Sequence, residues 1–206
     1  MADVALTALP EEREGAPPPA LEIPHFDIVP RVGLLISAVL TAGVIAAIAT
    51  NSQWAVDGFH VAGGAAWTIL DLFLGFVLGP IMGSMSIPAR IEFITKLMPK
   101  MVVIMPTVVT MTLAAGWQLS TQLGTNLTSS PVHGWVVASF IVVGVMSVIA
   151  LGLLEPANIA VLTELKKRRP NPAVIEKLMK RFIYSAGILG AMQIATLIIM
   201  TKIATA

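Results

Sequence analysis

The chain has 206 residues, 56% of them hydrophobic and 12% charged, with a formal net charge of +1 and a mean hydropathy of +0.84. A soluble domain carries about 25% charged residues, so this composition excludes an ordinary globular protein, and the near-zero charge offers no footprint for a nucleic acid partner. Cysteine is absent, which removes disulfides, thiolate metal sites and cysteine nucleophiles.

The first thirty residues, MADVALTALPEEREGAPPPALEIPHFDIVP, are proline-rich and mildly acidic and lack helical periodicity. They read as a flexible or surface-lying cytoplasmic tail. No basic n-region precedes an apolar core, so no signal-peptide cleavage is expected. Residues 31–206 then read as one transmembrane domain. Its five apolar windows run roughly from Val32 to Thr50, Gly58 to Ser84, Met101 to Thr121, Trp135 to Leu154 and Ile183 to Met200. Each is near the ~20 residues a helix needs to cross the hydrocarbon. The expected fold is all-α and integral to the membrane, an N-terminal span plus a four-helix core of two hairpins.

Basic residues orient this arrangement. The connection between spans 2 and 3 holds Arg90, Lys96 and Lys100; that between spans 4 and 5 holds Lys166, Lys167, Arg168, Arg169, Lys177, Lys180 and Arg181. The connections 51–57 and 122–134 hold none. The positive-inside rule places the basic connections and the N-terminal tail in the cytoplasm and the C-terminus outside a cell (inner) membrane. Trp54, Trp117 and Trp135 then fall at the outer boundary as an aromatic belt.

Span 2 contains FHVAGGAAWTILDLFLGFVLG, apolar yet carrying a histidine and an aspartate. His60, Gly64, Trp67, Asp71, Gly75 and Gly79 follow one another at helical spacing, so they share one face. Gly75, Gly79 and Gly83 form a doubled GxxxG pattern suited to close helix packing, within the chain or against other membrane subunits. An ionised carboxylate at mid-bilayer costs on the order of 3 kcal/mol unless paired, protonated or hydrated. Asp71 is therefore read either as a protonated acid bonded to Thr107 or Thr110 on span 3, or as a proton-handling or charge-compensating group. On span 3, Thr107, Thr110, Ala114, Gln118 and Thr121 keep helical spacing, and Gln118 falls near the depth of His60.

His133 opens span 4 as His60 opens span 2. The cytoplasmic connections also echo each other: Pro88-Ala89-Arg90-Ile91-Glu92, then Leu97-Met98, against Pro172-Ala173-Val174-Ile175-Glu176, then Leu178-Met179. The match suggests two parallel hairpin repeats about an axis along the membrane normal. Such symmetry brings His60 and His133 to opposite sides of one site, suited to axial ligation of haem b, with Gly64, Trp67 and Gln118 as cofactor neighbours. His25 lies in the tail and supplies no third ligand on that side. A thioether cluster for Cu(I) from Met82, Met85, Met98, Met101 and Met105 is the competing metal reading, and methionine as core filler competes with it.

The runs HVAGGAAWTILDLFLGFVLGP and MPKMVVIMPTVVTMTLAAGWQL resemble the loosely related bacterial membrane proteins that include copper-resistance protein D-like domains and the HemJ type of protoporphyrinogen oxidase. The likeness covers about residues 58–200 and rests on His60, Gly63, Gly64, Trp67 and Gly116. It implies haem b on the HemJ side and copper passage on the other, and by position it carries over His60 only. The chain departs from the HemJ pattern where Pro80 is followed by Ile81 instead of arginine, and span 4 lacks the lysine expected near its start. The expected function is thus a haem b-binding membrane protein handling electrons near the outer face. The alternatives are a copper-handling protein and a non-catalytic subunit of a respiratory or oxidase complex. No nucleotide loop, hydrolase triad or metalloprotease motif occurs, so whether the chain is an enzyme stays open.

Overall fold

The computed structural model describes residues 23–206, and all regular structure among them is helical. Among the described residues, five helices are long and apolar enough to cross a membrane: α1 Arg31–Ala49, α2 Gln53–Ser84, α3 Ile87–Gln122, α4 His133–Leu165 and α5 Pro172–Thr205. Residues 1–22 of the expected tail lie outside the described residues. Its last part, from Ile23, rests Ile23, Phe26 and Ile28 on the core, and Lys166 Nζ sits 5.4 Å above the Phe26 ring, a cation–π contact. Residues 23–30 therefore meet the bundle at its basic end.

The helices overrun the apolar windows. At 1.5 Å per residue α3 is about 54 Å long, against a hydrocarbon thickness of about 30 Å. The surplus lies at the basic end, where the connections expected as loops continue the helices. Only short turns, 85–86 and 166–171, remain. Local chemistry explains the extension. Glu92–Lys96 and Glu176–Lys180 are i,i+4 ion pairs, a spacing that supports solvated helix. Pro88 and Pro172 occupy the first turns of α3 and α5, where the missing N–H has no partner to lose. The Asn171 side chain caps α5 by accepting from the Ala173 N–H at 3.0 Å. These first turns are the segments whose sequences echo each other. Counted from Pro88 and Pro172, however, Met98 stands level with Phe182, so the two Leu-Met pairs do not coincide.

Two π segments interrupt the α geometry, Phe73–Leu78 in α2 and Ala150–Leu154 in α4. Gly79 N–H reaches back to Leu74 O, and Glu155 N–H to Ala150 O. The next residue is proline in both helices, Pro80 and Pro156. A proline ring clashes with the carbonyl four residues back and supplies no N–H; a turn widened by one residue makes room for it.

Helices α2, α3, α4 and α5 form a ring in which each packs on the next and α5 closes on α2, while α1 lies outside against α3 and α2. The α3–α4 seam is made mainly by the lower part of α4, Glu155–Leu165. One core runs through the ring and includes Trp67, Leu74, Met98, Met105, Met146, Val161 and Leu189. A second small cluster, Ala47, Val56 and Ala115, lies under the α1–α2 turn. Large apolar side chains also cover the outside, among them Leu35 and Val39 on α1, Ile141 and Val148 on α4, and Ile194 and Ile198 on α5. Such a surface is unstable in water and suited to lipid contact. Trp54, Trp117 and Trp135 are all exposed near the end opposite the basic turns.

Candidate functional site

The α2 stripe meets two different neighbours. Four-residue steps overshoot a full turn by about 40°, and the helices cross, so the upper part of the stripe faces α3 and the lower part faces α5. His60 is half-buried on α3, its Nδ1 3.1 Å from Thr112 O. A Cβ added at Gly116 would lie 2.7 Å from the His60 Cε1 atom, and one at Gly63 would lie 2.5 Å from Thr112 Oγ1. These glycines let α2 and α3 approach closely. Gly64 has more space, with only Thr112 Cγ2 at 3.7 Å. Lower down, Gly75 lies against the Gly187 backbone and Gly79 against Ile183, both on α5, while Gly83 faces open space. Two of the three GxxxG glycines thus join helices of the same chain.

Asp71 sits where α2 meets α5 and is 0% exposed. Gln193 Nε2 donates to its Oδ2 at 3.3 Å, and Thr68 Oγ1 donates to Gln193 Oε1 at 2.9 Å. The Trp67 indole N–H faces the same carboxyl from one turn away, too poorly aligned to close a hydrogen bond. Trp67 Nε1 and Asp71 Oδ1 are buried without a hydrogen-bond partner. The expected partners on α3 are engaged elsewhere: Thr107 donates to Val103 O and lies 2.6 Å from Ser37 Oγ, and Thr110 donates to Pro106 O. Threonines in helices commonly bond their own preceding turn. Gln193 was missed, although it is the only amide or charged residue between Ile183 and Met200.

His133 begins α4, half-buried, with Nδ1 3.1 Å from Asn126 O. Because α2 and α4 lie across the ring and not side by side, His60 and His133 are held by separate neighbours. In both residues one ring nitrogen meets a backbone carbonyl, and Nε2 makes no hydrogen bond among the described residues. That arrangement fixes a ring and leaves its other nitrogen available as a metal ligand. Gln118 does not join this region by hydrogen bonding. With Gln122 it donates to Asn51 Oδ1, at 3.2 and 2.7 Å, and so clamps the α1–α2 turn, where Asn51 has φ 51°.

Met82 and Met98, expected in a thioether cluster, line a small void together with Met179, and all other lining residues are apolar. Met101 and Met105 are buried in the same core. Among the described residues no group of three or more histidine, aspartate or glutamate side chains converges as a metal site. A second buried acid, Glu155, also escaped sequence reasoning. It falls one residue beyond the fourth apolar window, and only the continuation of α4 brings it into the packed core. A scan against protein-family models and searches of curated proteins and of solved structures each return no match.

Proposed function

We propose that this chain is a five-span integral protein of the cell membrane, with its N-terminus and basic turns in the cytoplasm, and that it handles protons at the buried Asp71 carboxyl, which Gln193 and Thr68 hold in place. The observation that carries this reading is a fully buried carboxyl held by the Gln193 amide, with the Trp67 indole N–H beside it and no cationic partner among the described residues. Asp71 lies about 26 Å of helix below Trp54, still within the ~30 Å hydrocarbon layer. Intramembrane acids mark proton relays and ion paths in helical membrane proteins. The matched π segments, each followed by proline, support the proposed relation between the α2–α3 and α4–α5 hairpins, which gives the ring two comparable halves.

The test is proton flux into liposomes holding the purified protein, driven by a potassium diffusion potential with valinomycin and read by an internal pH dye. Wild type is expected to exceed protein-free vesicles, and Asp71→Asn to fall to the protein-free rate. Wild-type flux equal to that of empty vesicles overturns the reading.

A second reading places haem b near the outer face, held by His60 and His133, and rests on the free Nε2 of each ring. Haem supplies one-electron chemistry when bound; the histidines would hold it, and the Thr112 and Asn126 carbonyls would orient them. An absorption spectrum of the purified protein, oxidised and then dithionite-reduced, decides it. A Soret band lost or converted in both His60→Ala and His133→Ala is expected. Protein purified without haem sinks this reading and leaves the first untouched.

A further inference from the structure

Glu155 follows the π segment of α4 and is 7% exposed, and neither Oε1 nor Oε2 has a hydrogen-bond partner. One turn further, Asn158 is 0% exposed. Its Nδ2 donates to Met98 O at 3.3 Å across the α3–α4 seam. That bond commits the amide N–H to Met98, Asn158 Oδ1 is left without a partner, and the Asn158 side chain lies within reach of the Glu155 carboxyl. Three acceptor oxygens are therefore buried within one helical turn without closing a hydrogen bond, and the one side-chain donor among them, Asn158 Nδ2, is given to Met98 O. Ionised, Glu155 would leave all three unsatisfied, each at the cost of a buried orphan.

Charge partners do not supply the donor. The ionisable groups on the helices packed here are Arg90, Glu92, Lys96 and Lys100 on α3, Glu176, Lys177, Lys180, Arg181, Tyr184 and Lys202 on α5, and His133 and Glu164 on α4. Among the described residues none makes a salt bridge or hydrogen bond with Glu155. A metal cation is poorly matched, because hard cations take six or so oxygens from several directions and these three come from one turn. A proton needs only one carboxyl oxygen and turns it into a donor.

We propose that Glu155 and Asn158 form a proton-binding site at the α3–α4 seam. The protonated carboxyl donates to Asn158 Oδ1, which satisfies two of the three oxygens with one hydrogen bond and leaves only the uncharged carboxyl C=O without a partner. Release breaks the carboxyl O–H bond, passes the proton to water at the basic end and leaves a carboxylate. That charge then faces the Asn158 oxygen, and the seam around Met98 opens to water. Glu155 lies about 30 Å of helix below Trp135, at the cytoplasmic edge of the hydrocarbon layer in the proposed orientation. Exchange with water there needs no path through the bundle. The site uses a different helix pair from Asp71 and stands without the Asp71 reading.

Infrared spectroscopy of the reconstituted full chain tests it, with carboxyl-¹³C label placed either in all glutamates or in all aspartates. At neutral pH a C=O band of a protonated carboxylic acid is expected to shift with the glutamate label and to vanish in Glu155→Gln. In Asn158→Leu it should move to higher frequency, as the acceptor is lost. A protonated Asp71 would shift with the aspartate label alone, so the two acids are read separately. A wild-type spectrum with no glutamate-sensitive acid band overturns the proposal, even if both variants fail to fold. Loss of the band on exchanging choline for sodium at fixed pH also overturns it, in favour of a metal cation. On raising the pH, amide hydrogen exchange in Glu155–Leu165 should accelerate as the band disappears; exchange that stays constant refutes the opening of the seam.

Discussion

Replacing Gln193 by leucine preserves side-chain bulk and removes both hydrogen bonds that cross from α5 to α2. Asp71 Oδ2 loses its 3.3 Å donor and Thr68 Oγ1 its 2.9 Å acceptor, while Asp71 Oδ1 has no partner to begin with. Two newly orphaned groups at about 1–3 kcal/mol each set an upper range. Interhelical hydrogen bonds in membranes average nearer 0.6 kcal/mol, with a maximum of about 1.7, because the unfolded reference finds other partners. Gln193→Leu is therefore expected to destabilise by about 1–3 kcal/mol. Asp71→Leu in that background should recover part of the loss, since removing both partners leaves no buried carboxylate behind. Unfolding in mixed micelles titrated with dodecyl sulfate, applied to both single variants and the double, gives the coupling directly. Additivity within about 0.3–0.5 kcal/mol would falsify the view that Gln193 and Asp71 act as one unit. Asp71→Asn, which keeps shape and hydrogen bonding, should unfold close to wild type while losing proton flux.

The GxxxG glycines should separate by neighbour. Gly75→Ala places a Cβ 2.7 Å from the Gly187 Cα, a backbone atom that cannot swing aside, and is expected to cost about 1–3 kcal/mol; Gly83→Ala, with nothing within 4 Å, should be neutral or slightly stabilising in the same unfolding assay. Topology follows from single cysteines introduced into this cysteine-free chain. Ser129→Cys should react with an impermeant maleimide in intact cells and Lys167→Cys only after permeabilisation, and the reverse pattern would invert the proposed orientation.

Helix class, the number of long apolar helices and their approximate centres were legible in the sequence alone. They follow from length, hydropathy and the need of every lipid-exposed backbone group for an internal partner, none of which depends on which helix lies beside which. The basic residues and three tryptophans likewise mark two ends of the bundle before any packing is known. Helix ends were less legible. The apolar windows stop where hydropathy falls, whereas α3 and α5 extend on ion pairs and first-turn prolines and α4 runs on past its π segment, and Glu155 went unread for that reason. Pro80 and Pro156 were visible as residues, but the π turns before them depend on backbone hydrogen bonds that hydropathy does not carry. Tertiary structure decided the partners. Helical spacing puts His60 and Asp71 on one face of α2, yet only the crossing of α2 with α3 and α5 gives His60 to Thr112 and Gly116 and gives Asp71 to Gln193. A periodic pattern records which side of a helix is unlike the rest; which neighbour fills that side is a property of the assembled ring.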